Sequence, residues 1–268
     1  MRLLKNQFKF FVVYCLSFSC AMAFADDGMP KLEVRQIPLS ASNAYLIKSK
    51  LMVLVDSGGK QDLEALKKAL ATEGVSMGAL GAVILTHGHA DHAGLVAELK
   101  RHGVMVVAGT GDTTMTAAGH NDDIKPTNFM ARLLKRFAID PRYEAFTADV
   151  QIVEPFDLHR FGIAGKAIQM PGHTPGSLVI VLEDGRAFVG DMMLGGWMGG
   201  AMFADKAGEH YFQDNLELNH ANIIEMLNQP IHTFYLGHGG PVTRASVLKG
   251  FHLSDPRAPD SPPSAVTH

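Results

Sequence analysis

The sequence predicts an α/β fold, and three observations point there. An apolar run of strand length, Ala82 to Thr86, leads into an amphipathic helical stretch ending at Gly103 and then a second apolar run, Val104 to Ala108. That is the strand, helix, strand order of a βαβ unit, in which ligands collect beyond the carboxyl ends of the strands. Short β-prone runs stand before this unit and recur after it. Finally, 47% of the 268 residues are hydrophobic and 19% charged, enough for one large core and incompatible with an acidic disordered polymer or a low-complexity fibre.

At the amino terminus, Arg2, Lys5 and Lys9 precede an apolar stretch, Phe10 to Phe18, and the small-x-small sequence Ala23-Phe24-Ala25. This order predicts a cleaved secretory signal over residues 1–25, with cleavage after Ala25 or Ala23. The apolar run is shorter than the ~20 residues that span hydrocarbon, so no stable membrane insertion is expected after cleavage. The protein is expected outside the cytoplasm, periplasmic in a Gram-negative cell and otherwise secreted. Both cysteines, Cys15 and Cys20, would leave with the signal, so the mature chain would have neither a disulfide nor a thiolate ligand. Losing three basic and no acidic groups takes the net charge from −3 to −6, which argues against nucleic acid as a partner.

Leu32 to Ile37, Ala44 to Lys48 and Leu51 to Val55 predict an antiparallel meander. Lys60 to Glu73 predicts a helix with Leu63, Leu66 and Leu70 on one face and Gly74 as its stop. After the βαβ unit, the polar stretch Gly109 to Pro126 has no clear period and reads as a long surface loop. Thr127 to Ala138 reads as a helix with Phe129, Leu133 and Phe137 on one face and a solvated basic stripe, Arg132, Lys135 and Arg136, on the other. Strands are expected at Gln151 to Val153, Ala167 to Met170, Ser177 to Leu182 and Ala187 to Val189, the last two joined at Asp184-Gly185. A helix from Asp214 to Leu227 and a strand from His232 to Leu236 follow. The main domain is expected over 26–253, and the Pro/Ser-rich tail, 254–268, is expected to be disordered.

Chemistry concentrates in Thr86-His87-Gly88-His89-Ala90-Asp91-His92, directly after a strand. Three imidazoles and a carboxylate within six positions form a donor set for Zn²⁺ or a similar transition metal. In an extended turn His87 and His89 point the same way, leaving Asp91 and His92 for a second centre. Of the other histidines, His102, His159, His210, His220, His232, His252 and His268 stand alone and read as surface or satisfied core groups. His120, in the polar loop, is a weak candidate for substrate contact. The apolar, glycine-rich run Gly195 to Phe203 could equally line a pocket or pack as core.

This segment resembles the HxHxDH motif of the metallo-β-lactamase superfamily, and the match extends in order along the chain. Pro171-Gly172-His173-Thr174-Pro175-Gly176 stands where the family has its next histidine, Val189-Gly190-Asp191 where it has a bridging aspartate, and Leu236-Gly237-His238 where it has its last ligand. Asp56-Ser57-Gly58 resembles the family's early, mainly structural Asp-x-Gly turn. The resemblance implies a four-layer αββα sandwich and two Zn²⁺ per chain, with iron or manganese as alternatives. It assigns His87, His89 and His173 to one metal and Asp91, His92 and His238 to the other, with Asp191 and a hydroxide between them. Asp91 and His238 are also assigned to the catalytic step, Asp91 by orienting the nucleophile or moving its proton. Gly88, Gly172, Gly190 and Gly237 would let the backbone turn closely about the metals.

The bridging Asp191 and the absence of a mature cysteine look more like the thioesterase, lactonase and phosphodiesterase branches than the thiolate-using β-lactamases. The expected substrate is therefore a small ester, thioester or lactone. Two departures stand against narrower names: no basic, cysteine-containing turn follows Asp191, unlike glyoxalase II, and Leu194 lies near where acyl-homoserine lactonases have a tyrosine. The alternatives are β-lactam hydrolysis, an iron-dependent redox enzyme on the same ligands, and a non-catalytic metal-binding module. The oligomeric state is not legible in the sequence.

Overall fold

A computed structural model describes residues 32–135 and 140–258. The predicted signal, 1–25, lies outside them, as do the end of the predicted helix at 127–138 and most of the predicted tail. The first strands, β1 (Glu33–Pro38), β2 (Asn43–Lys48) and β3 (Met52–Val55), form the expected antiparallel meander. Helix α1 (Leu63–Thr72) then crosses to β4 (Leu80–Ile84), parallel to β3. Helices α2 (Ala90–Ala93) and α3 (Val96–Arg101) lead to β5 (Met105–Gly109), parallel to β4, which completes the predicted βαβ unit. Helices α4 (Thr113–Ala118) and α5 (Phe129–Lys135) precede β6 (Val150–Ile152), and the six strands form one mixed sheet in chain order.

The second sheet contains β7 (Phe156–Asp157), β8 (Gly165–Gln169), β9 (Leu178–Leu182) and β10 (Arg186–Gly190). Strands β11 (Leu194–Trp197) and β12 (Met202–Gly208) pair separately as a ribbon. Helix α6 (Leu216–Asn228) then returns the chain to β13 (Thr233–Leu236), parallel to β10, and β14 (Val242–Thr243) and α7 (Arg244–Gly250) complete the described fold. The order across the sheet is β14-β13-β10-β9-β8-β7.

Side-chain alternation along these strands generates the layers. Tyr45, Ile47, Val53, Val55, Ile84 and Val107 project from the first sheet onto Ala167, Leu178, Ile180 and Phe188 of the second, forming the central core. Their sequence neighbours Leu46, Leu54, Val83 and Val106 face the opposite way, onto Leu66 and Leu70 of α1 and Leu99 of α3. Val179, Ala187, Val189 and Phe234 meet Ile223, Met226 and Leu227 of α6 on the outer side of the second sheet. Two sheets face to face with helices on both outer surfaces are the αββα arrangement.

Several expectations need correction. The stretch 109–126 is not a surface loop throughout: Asp112 is buried at the start of α4, whose Met115 and Thr116 are buried. In α5, Phe129 and Leu133 are 80% and 48% exposed. Polar contacts hold the helix, with Asn128 Oδ1 accepting from Ala131 N–H and Lys135 Nζ reaching Asp123, and Ala131 is buried. The run Gly195 to Phe203 forms the turn of the β11/β12 ribbon and the strand ends beside it, where Trp197 and Phe203 are 55% and 64% exposed. Strands β7 and β14 and helix α7 had no clear signal in the pattern.

Phe188 lies at the centre of the inter-sheet core, stacked on Tyr235 at 4.8 Å and edge-on to Tyr45 at 5.3 Å. Phe188→Ala leaves a cavity between two sheets that cannot close over it, and a loss of about 3–5 kcal/mol is expected. Urea unfolding at fixed metal content measures it; a loss below about 1 kcal/mol would contradict this packing.

Candidate metal centre

Each residue of the motif set follows a strand's carboxyl end: Asp56 after β3, His87 to His92 after β4, His173 after β8, Asp191 after β10 and His238 after β13. The structure brings all of them together. His87, His89 and His173 form one group and Asp91, His92 and His238 another, the ligand atoms in each lying within 4.8 Å of one another. Asp191 stands between them, with Oδ2 3.5 Å from His173 Nε2 and 3.2 Å from His238 Nε2, and Oδ1 3.5 Å from His92 Nε2.

Hydrogen bonds behind the imidazoles decide which nitrogen faces inward. Asp56 is buried, and its Oδ1 accepts from Thr86 N–H at 2.7 Å. Its Oδ2 takes the Thr86 hydroxyl at 2.7 Å and His92 Nδ1 at 2.9 Å. Thr86 Oγ1 in turn lies 3.1 Å from His87 Nδ1. One carboxylate thereby fixes both rings with Nε2 towards the centre, the arrangement that raises the basicity of a metal ligand. Ala41 C=O anchors His238 Nδ1 at 2.7 Å, and Phe212 C=O anchors His173 Nδ1 at 2.9 Å. The loops are tied as well. Asp112 Oδ2 accepts from Gly88 N–H and the Thr174 hydroxyl, and its Oδ1 from Gly176 N–H, all at 2.8 Å.

The donor set fits a divalent transition metal. His87 Nε2, His92 Nε2 and Asp191 Oδ1 are buried without a hydrogen-bond partner among the described residues, a costly state for polar atoms unless a cation meets them. Burial pushes His87 and His173 well below the usual imidazole range and His89 down to about 4, so these rings are neutral and offer lone pairs. At His92 and His238 burial acts in the same direction but is outweighed by Asp191 and Asp91, joined at His92 by Asp56, and His238 is pushed up to about 10. Asp191 is held well below the usual carboxylate range, since His238, His210 and His92 overcome its burial.

Two residues that the sequence reading did not place in the site belong to it. Asp112 falls in the stretch expected to be a surface loop, and its carboxylate, which makes no capping bond to α4, ties the Gly88 and Gly176 turns instead. His210, read as a lone histidine, is 5% exposed, with Nε2 3.2 Å from Asp191 Oδ2. No motif marks it. His120 bonds back to Asn121 C=O at 2.5 Å, and it is Asn121 that reaches the site, accepting from Ala90 N–H at 2.7 Å.

A Cβ at residue 237 would stand 2.0 Å from Asp191 Oδ1 and 2.6 Å from His92 Cε1, so Gly237→Ala is expected to displace the carboxylate and lower metal content at both positions. Asp56→Asn is expected to weaken binding at the His92 position roughly 10- to 100-fold, read by chelator competition; unchanged stepwise affinities would contradict the anchoring role. With His238 at about 10, the metal-free centre carries protons at pH 7 that a cation must displace. Apparent metal affinity is therefore expected to rise from pH 6 to 8 with net proton release, measurable by calorimetry in buffers of different ionisation enthalpy.

Comparison with known proteins agrees with this geometry. The metallo-beta-lactamase superfamily profile matches residues 37–238. The chain is 26% identical over 224 residues to the probable metallo-hydrolase YqjP of Bacillus subtilis, covering 76% of this chain and 69% of that protein. It is 26% identical over 174 residues to the hydroxyacylglutathione hydrolase GloC of Haemophilus influenzae, covering 63% and 75%. Among solved structures, the B3 metallo-beta-lactamase BLEG-1 superposes with a TM-score of 0.60 at 24% identity, covering 84% of this chain and 98% of that one. A di-iron-bound form of TTHA1623 gives 0.55 at 23% identity, with 80% and 94% covered. Profile, fold and a histidine-rich centre of the dinuclear type converge, and the chain belongs to the metallo-beta-lactamase superfamily as one of its metallo-hydrolases.

Proposed function

We propose that the chain is an exported dinuclear zinc hydrolase acting on a small ester, thioester or lactone. The observation that carries this reading is the Asp191 carboxylate, which contacts imidazoles of both ligand groups. A carboxylate in that position suits the acyl-hydrolysing branches better than the histidine-only β-lactamases, and the relative named a hydroxyacylglutathione hydrolase supports the same choice. Two ions held by His87, His89, His173, Asp91, His92, Asp191 and His238 would lower the pKa of a water between them and polarise the substrate carbonyl.

The chain's own groups supply the rest. Asp91 Oδ2 lies 3.3 Å from His238 Nε2, and the two side chains are 19% and 12% exposed, against 3% or less for His87, His92, His173 and Asp191. Asp91 therefore faces the entry side, where it can take a proton from the attacking water and return it to the leaving group. Beside His89 and His173, Met115, Ile124, Pro175 and Phe212 line a cleft together with the polar Asp122, Asp123, Lys125, Thr174, Gln213 and Asp214, a mixed lining that offers an acyl substituent apolar contact beside polar groups. The predicted signal supports export, which sequencing the mature amino terminus tests: Asp26 or Phe24 is expected, and an intact Met1 in purified cell envelope and medium would refute it.

On metal-quantified protein assayed against thioesters, lactones, phosphodiesters and β-lactams, turnover is expected for an ester, thioester or lactone. His89→Ala or Asp191→Ala is expected to retain the fold while metal content drops and turnover falls by orders of magnitude. Activity confined to β-lactams or phosphodiesters would overturn the substrate class. Stoichiometric iron with little zinc, in protein purified without added metal, would overturn the zinc assignment.

A further inference from the structure

Four imidazole nitrogens surround Asp191 Oδ2, and the motif set accounts for only three of them. His210 Nε2 lies 3.2 Å from this oxygen, level with His238 Nε2 at 3.2 Å and closer than His173 Nε2 at 3.5 Å or His87 Nε2 at 3.8 Å. Neighbouring donor atoms on one ion, each bound at about 2.1 Å, stand about 3.0–3.4 Å apart, so His210 is at the separation of a co-ligand. We propose that His210 is an eighth protein ligand of the centre, binding through Nε2 the ion that His173 and Asp191 hold.

The surroundings of His210 match those of its partner. Nδ1 lies 2.9 Å from Phe212 C=O, the carbonyl that also anchors His173 Nδ1 at 2.9 Å. A carbonyl has two lone pairs, so one peptide group can set the same tautomer in both rings and leave both Nε2 lone pairs facing Asp191. The rings meet edge to face at 4.9 Å, and His173, Asp191 and His210 together form a compact ligand group. The segment carrying His210 is tied to both partners: Gln213 Nε2 donates to Asp191 C=O at 3.1 Å, and Asp214 N–H donates to His173 C=O at 3.1 Å. Thr127 Oγ1 holds His210 C=O from the other side at 3.0 Å. The competing arrangement is specific. Phe212 N–H also lies 3.2 Å from His210 Nδ1, and a proton on Nε2 instead would make His210 a hydrogen-bond donor to Asp191, positioning the carboxylate without touching metal.

This inference rests on the dinuclear reading and not on the substrate. The test is a crystal structure of the full chain loaded with Zn²⁺ or Co²⁺, with ions located by anomalous scattering, alongside stepwise metal affinities for wild type, His210→Ala and His210→Gln. Expected are two ions, one within about 2.3 Å of His210 Nε2, and a loss of roughly tenfold or more in one affinity in both variants. Two ions with Nε2 beyond coordination distance, more than about 2.3 Å, of either, unchanged affinities in His210→Ala, or full rescue by His210→Gln, whose amide keeps the N–H donor, would each overturn it. Failure to find two ions would overturn the dinuclear reading as well, which separates the two failures.

Discussion

The Asp56 carboxylate is buried between the first sheet and the metal-binding loop, and its oxygens accept from a backbone N–H, a hydroxyl and an imidazole. A carboxylate in that position is stable only while those donors stay in place. The dependence runs both ways. Asp56 holds Thr86, through Thr86 it reaches His87, and directly it orients His92, so one rigid group sets a ring in each ligand group. Asp56 takes a φ of +57° to do this, a left-handed conformation that aspartate tolerates better than most side chains.

The second constraint is that the two sheets must deliver their strand ends to one place. β3 and β4 bring Asp56 and the histidine run from one sheet, while β8, β10 and β13 bring His173, Asp191 and His238 from the other. The inter-sheet core fixes their separation, because residues such as Phe188 and Ile84 leave no slack between the layers. Polar stitches then close the join at the site. Asp112, after β5, binds the backbone of both the Gly88 and the Gly176 turns, and Asn43 and Tyr45 from β2 reach the carbonyls around Leu236 to Gly239. Where the strand ends come closest there is no room for a side chain: at Gly190 a Cβ would stand 2.5 Å from Thr86 Oγ1.

What the sequence made legible follows from which forces are local. Leu66 and Leu70 announce α1, and the runs 32–55 and 80–109 announce their strands, because alternation and helical period are written within a few residues. The histidine run was equally readable, since its density has no ordinary structural explanation. The residues missed act across the fold. Asp112 looks like any polar turn residue until β5 carries it 64 positions away onto Gly176 N–H. The apolar face of α5 misled for the opposite reason. A helical period shows that a helix can be amphipathic, but Thr127, Asn128 and Lys135 hold this one by polar contacts that leave Phe129 in solvent.

His210 shows where a one-dimensional reading stops. The motif histidines are conspicuous because they crowd together or follow a readable apolar strand with glycines beside them, whereas His210 follows β12, whose largely exposed sequence of mixed polarity does not announce a strand. Its position depends on Phe212, whose carbonyl is shared with the His173 ring 39 residues earlier in the chain. The pairing has an electrostatic logic. Three carboxylates, Asp56, Asp91 and Asp191, lie within or against one buried cluster, and none is neutralised by lysine or arginine among the described residues. Without metal, protons on His92 and His238 offset part of that charge; once those protons leave, the imidazoles can bind cations that offset it instead, and a chain with no thiolate in the described fold has imidazole and carboxylate as its means of holding them.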